Sequence, residues 1–255
     1  MADKNGEKGF QITARALLIL LIALPVLLLI VREISYGGTI WHFRIVDLGD
    51  MLILSPVYAI ILVFLWLHML RSGVPNRLLL FFLGFAILFM FGQAMHVTGN
   101  SINTFATEVN NYKPILPEDL YELIYFLDEE LSHLILVTAV TGLMICYLAF
   151  DRLAIASPLL PETPIISVVL GGLYGFILAY GLIEAQFVWF MFPMLLLMIA
   201  FWLWYWRKSG LSFGGYLSSR PYTRVFGVVI LATILTTVGY GLLFGGFPQP
   251  SEIGL

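Results

Sequence analysis

Hydrophobic and polar positions fall in long blocks along this chain, with apolar runs parted by short connectors rich in charge, glycine or proline. A transmembrane helix needs about 20 mainly apolar residues, because the rise is about 1.5 Å per residue and the hydrocarbon layer is about 30 Å thick. Seven runs reach that length, at residues 12–31, 51–70, 78–99, 131–150, 165–183, 187–206 and 225–245. The two-residue alternation of a β-barrel is absent, which leaves helices to satisfy the backbone in lipid. The pattern predicts an all-α integral membrane protein, a single domain over residues 1–255 built as a seven-transmembrane-helix bundle.

The connectors carry their own signals. Arg71-Ser-Gly-Val-Pro75 turns the chain between the second and third spans, and residues 158–164 separate the fourth from the fifth. Pro117, Glu118 and Asp119 suit the first turn of a helix, where proline needs no amide partner and acids face the positive dipole end. The fourth helix is therefore expected to begin well before its apolar run. Pro25, Pro56 and Pro193 lie inside runs and predict kinks wherever neighbours satisfy the freed carbonyls. Gly171, Gly172 and Gly175, with Gly239, Gly241, Gly245 and Gly246, mark places where helices can approach closely.

Positive charge sets the expected orientation. With the N-terminus cytoplasmic, Lys4, Lys8, Arg15, Arg71, Arg77, Arg152, Arg207, Lys208, Arg220 and Arg224 lie inside, against Arg32, Arg44 and Lys113 outside. The C-terminus then falls outside, and the first span reads as a retained signal anchor in a plasma or cytoplasmic membrane.

Composition narrows the class further. The chain is 60% hydrophobic and 11% charged, against about a quarter charged residues in soluble domains. A net charge of −3 without a basic stretch excludes nucleic acid as the expected partner and leaves membrane lipid. The lone Cys146 offers neither an internal disulfide nor a thiolate metal motif. There is no Walker loop, dinucleotide fingerprint or Gly-x-Ser-x-Gly elbow, and the last span lacks the lysine of a retinal pocket.

Candidate chemistry gathers at one depth. Counted from the inner boundary, His96 and His133 stand about 27 to 29 Å up, Glu184 about 30 Å and Asp50 about 31 Å. In the stretch YFLDEELSH, residues 125–133, helical spacing puts Glu129 and Glu130 on the face of His133. Glu130-x-x-His133 has the spacing by which carboxylate-bridged metal bundles aim two ligands inward, but it occurs once, which suits one ion rather than two. His96, Glu130, His133 and Glu184 are thus the expected ligands of a single divalent metal, zinc ahead of iron. Glu129 is the expected general base, and Asn100 the group that orients a substrate carbonyl or meets a developing oxyanion.

The resulting expectation is a membrane-embedded, metal-dependent hydrolase that attacks a lipid-like ester or amide near the outer leaflet with metal-activated water. Two other classes use the same residues: a proton-coupled transporter, and a non-catalytic subunit or metal-handling partner of a larger membrane complex. Plainer roles compete at each position. Asp128, Glu118, Asp119 and Glu122 are expected to face interfacial water. Asp50 divides between a helix start and the cluster, and Glu184 between the cluster and a turn cap. His68 belongs to the opposite boundary, and His42 lies in an outer loop that could fold over the site.

Overall fold

A computed structural model describes residues 39–40, 43–106, 116–153, 163–249 and 253. The expected first span, His42 and Lys113 lie outside the described residues. A two-stranded antiparallel hairpin, β1 (Thr39–Ile40) and β2 (Phe43–Arg44), leads into helix α1 (Ile45–Arg71). Then follow α2 (Asn76–Thr104), α3 (Glu118–Asp151), α4 (Thr163–Glu184), α5 (Val188–Ser209), a short α6 (Phe213–Ser219) and α7 (Pro221–Phe244).

Five helical segments are long and apolar enough to cross a membrane: α1, α2, α3, α5 and Thr223–Phe244 of α7. In α4 the shorter apolar stretch Val168–Glu184 covers most of another expected span. Strongly exposed Leu80, Trp189, Leu196, Leu242 and Leu243 suit contact with lipid rather than water. The chain is an all-α, membrane-embedded protein whose helices outrun the apolar runs: α2 continues to Thr104, and α3 opens at Glu118 directly after Pro117.

Two compact units make up the chain. In the first, comprising Met1–Gly73 and Ala86–Leu136, α1 contains a π-helical turn, Asp50–Leu54, immediately before Pro56. A proline inside a helix clashes with the carbonyl four residues back and leaves it without a donor. Here that carbonyl belongs to Leu52, inside the π turn, and within the same turn the Ser55 hydroxyl donates to the Asp50 carbonyl at 2.9 Å. Asp50 thus sits inside α1 and does not start it. Tyr58 of α1 meets Phe89 of α2 edge to face, 5.1 Å between centroids.

Helices α2 and α3 close on each other at two glycines, one heptad apart on one face of α2. A β-carbon at Gly92 would lie 2.9 Å from Ile135 Cγ2, and one at Gly99 would lie 2.7 Å from Asp128 Cβ. Nothing larger than hydrogen fits at either place, which is how small residues let membrane helices approach.

In the second unit, comprising Val74–Phe85 and Val137–Leu255, α4 and α7 pack along Gly171 and Gly175. A β-carbon at Gly175 would lie 2.6 Å from the Val229 carbonyl, and the Thr233 hydroxyl donates to the Gly175 carbonyl at 3.2 Å. Gly172 faces open space and takes no part. Methionines 191, 194 and 198 of α5 fill the core between Leu182, Val229 and Ile230. The start of α7 is capped from α3: Asp151 accepts from the Thr223 amide at 3.0 Å and its hydroxyl at 2.8 Å, and Arg220 donates to the Asp151 carbonyl.

Candidate functional site

The site is built on α2 and α3 within the first unit, and an irregularity of α3 makes it. The seven residues Phe126–Ser132 wind as a π-helix, with bonds from i to i+5. In an α-helix Asp128 and His133 would point about 140° apart. The π winding turns less per residue and narrows that angle, and both side chains meet α2, Asp128 at Gly99 and His133 at His96. Ser132 closes this segment by donating its hydroxyl to the Asp128 carbonyl.

Asp128, expected in water, is instead completely buried, at 0% exposure. Its carboxylate fills the space left open by Gly99, and its Oδ1 lies 2.9 Å from His96 Nδ1. The approach is off the axis of the ring N–H, and no donor among the described residues makes a hydrogen bond to either carboxylate oxygen. A carboxylate in that state is far from satisfied. Removing water from an ion carries a penalty of several kcal/mol, and a single misaligned imidazole offsets only part of it.

His133 stands beside His96, with 4.7 Å between ring centroids and the rings steeply inclined. The His133 Nδ1 lies 2.7 Å from the Glu129 carbonyl. A carbonyl only accepts, so Nδ1 carries the proton and the lone pair is at Nε2. The Glu129 carboxylate is partly exposed, 3.9 Å from the same Nδ1.

One helical turn beyond His96, Asn100 belongs to a second assembly. Its amide donates to Asp47 Oδ1 at 3.0 Å, and its carbonyl oxygen accepts from Arg44 at 3.3 Å. Arg44 also grips Asp47 through two nitrogens, at 3.1 and 3.2 Å. This network ties the end of the hairpin and the start of α1 to α2.

Glu130 is exposed, because the π winding carries it off the face that α-helical spacing assigned to it. Glu184 ends α4 in the second unit, where its carbonyl accepts from Gln249 at 2.7 Å. Among the described residues no three His, Cys, Asp or Glu groups are positioned to hold one metal ion. Sequence reasoning missed Asp128 and Asp47 as buried groups. The signal that could have found Asp128 is Gly99, a residue without a side chain one turn from His96 on a face that already carries Gly92.

Buried polar positions are not confined to this cluster, since Thr141, Asp151, Thr223, Thr233 and Thr237 are buried in the second unit. Along α2, Gln93, Ser101 and Thr104 are buried near His96 and Asn100, whereas Leu79, Phe82, Ala86, Phe89 and Gly92 are the buried residues before Gln93. In α3 the next buried positions after His133 are Val137 and Ala139. No family model, curated protein or solved structure matches the chain.

Proposed function

We propose that this chain is a membrane-embedded hydrolase acting on a lipid-like ester or amide at His96, Asp128 and His133, with its site toward the outer leaflet. The observation that carries the reading is the wholly buried Asp128 carboxylate set 2.9 Å from His96 Nδ1 and left without an aligned donor. Ionisable groups inside a membrane are expensive to keep, and they mark working sites.

The chemistry follows from the tautomers. His133 offers the lone pair of Nε2, and a proton on His96 Nδ1, facing Asp128, leaves Nε2 of His96 as an acceptor. Two imidazoles with 4.7 Å between ring centroids can hold the two hydrogens of a water and direct its oxygen lone pair at a carbonyl carbon. Asp128 stabilises the positive charge that develops on His96 as the water loses its proton. That proton then passes to the departing alcohol or amine. The lipid-like substrate class rests on the apolar surroundings, and the outer location on the distribution of basic residues in a seven-span, N-inside chain.

The same cluster could serve proton-coupled transport, but a carrier needs polar groups continuing through the membrane. The buried positions of α2 before Gln93 are apolar, and those of α3 after His133 include only Thr141 and Asp151 as polar groups, a sparse row for a carrier path. The test is hydrolysis of a panel of lipid esters and amides by protein in nanodiscs, with Asp128→Asn and His133→Gln alongside. Release of acid product that depends on both residues supports the reading. Absence of turnover across the panel, or turnover indifferent to both changes, rejects it.

A further inference from the structure

We propose that the end of the second unit where α5 stops and α7 begins binds the phosphate of an anionic phospholipid, through Arg207, Lys208, Arg220 and Arg224. The proposal is independent of the hydrolase reading and uses other residues. Helix α6 joins the two longer helices at this end, and a β-carbon on Gly227 would lie 3.0 Å from Trp202 Cζ2, which makes those two residues level. Counted from that contact toward the connector, Arg224 stands about 4.5 Å out, Arg207 about 7.5 Å and Lys208 about 9 Å. Arg220 immediately precedes α7. Four cations therefore share one end of the unit.

Acids do not offset them. Among the described residues of the second unit the acids are Asp151 and Glu184. The Asp151 carboxylate is buried and accepts from the amide and hydroxyl of Thr223. Glu184 is remote: Gly171 and Gly175 of α4 meet Val228 and Ala232 of α7, so the two helices run the same way and Glu184 lies about 20 Å beyond Gly171. Arg207, Lys208 and Arg224 meet no carboxylate among the described residues.

One of the four is already oriented. Arg224 Nε donates to the Leu217 carbonyl at 3.1 Å, which fixes the plane of the guanidinium, while its Nη1 has no acceptor among the described residues. Phosphate oxygens supply both the missing acceptor and the opposite charge, and the guanidinium fork matches their geometry.

The apolar neighbours select a lipid over free phosphate. Leu211, Phe213 and Trp204 are exposed at this end. Phe213 is wedged edge-on against Trp202 and Trp206, with centroids 5.5 and 5.2 Å away, and Lys208 Nζ lies 5.0 Å from the centre of the Trp204 ring. Tyr216, on the same short helix, is buried and holds α6 down. Aromatic rings beside cations at the ends of spans sit at headgroup depth, with acyl chains alongside. In the N-inside orientation expected from the sequence this is the cytoplasmic face, where anionic lipids attract basic segments. Orientation alone would need the charges, but neither the aromatic wedge nor a guanidinium held by a backbone carbonyl.

The test is native mass spectrometry of full-length protein in detergent, titrated with phosphatidylglycerol, with phosphatidylcholine, and with phosphatidylglycerol in excess inorganic phosphate. Wild type should prefer phosphatidylglycerol by about fivefold or more, and inorganic phosphate should leave the lipid bound. Arg224→Gln and Lys208→Gln should each weaken its binding by about fivefold. Arg71→Gln, at an exposed cation of the first unit, should change nothing. Lys208 is exposed, so its variant keeps the fold, and circular dichroism verifies Arg224→Gln. Equal binding of the two lipids by wild type, an equal loss in Arg71→Gln, or displacement of the lipid by inorganic phosphate overturns the proposal.

Discussion

Gly99 and Asp128 occupy one space: a β-carbon on Gly99 would sit 2.7 Å from Asp128 Cβ and 3.1 Å from its Cα. The absence of a side chain on α2 therefore permits the buried carboxylate on α3. Gly99→Ala should destabilise the protein by about 1–3 kcal/mol, the usual penalty of overpacking, and should displace Asp128 from His96. Gly84→Ala on the same helix, with nothing within 4 Å of its β-carbon, should be neutral or slightly stabilising. Thermal unfolding in detergent separates the two. Equal melting temperatures for both variants would contradict the close crossing.

The Arg44, Asp47 and Asn100 network should behave as one unit. Asn100→Ala leaves a buried Asp47 oxygen short of a donor, a loss of about 1–3 kcal/mol. Combined with Asp47→Asn, the double variant should fall short of additivity by about 0.5–3 kcal/mol. Additive losses in a double-mutant cycle would show that the contacts are incidental.

In the second unit the cap on α7 is separately testable. Asp151→Ala and Thr223→Ala should each lower stability by about 0.5–2 kcal/mol, the range for lost helix caps. The second change should add little once the first is present. Because Asp151 meets both the amide and the hydroxyl of Thr223, the aspartate variant should be the more damaging of the two.

Much of the helical plan was legible because it depends on constant rise and apolar length alone. Five expected spans correspond to helical segments long and apolar enough to cross a membrane, and Pro56 announced its irregular turn. Counting along helices also brought His96 and His133 to one level, where their rings lie 4.7 Å apart. What could not be read was rotation about the helix axis. The π winding at 126–132 shifts each side chain it contains, so Asp128 turns inward and Glu130 outward. Hydropathy assigned Asp128 to water for the same reason, since a short polar run looks alike whether it is solvated or folded against a glycine. The Asp47 contacts depend on how the hairpin returns to α2, which no periodicity records.

The central claim is that the buried Asp128 works through His96. Its most direct test is turnover of a cleaved lipid ester by wild-type protein and by Asp128→Asn in the same nanodiscs, with equal folding verified by circular dichroism. Turnover falling by about 100- to 10,000-fold with little change in KM is the predicted result. Full turnover in the asparagine variant would contradict it.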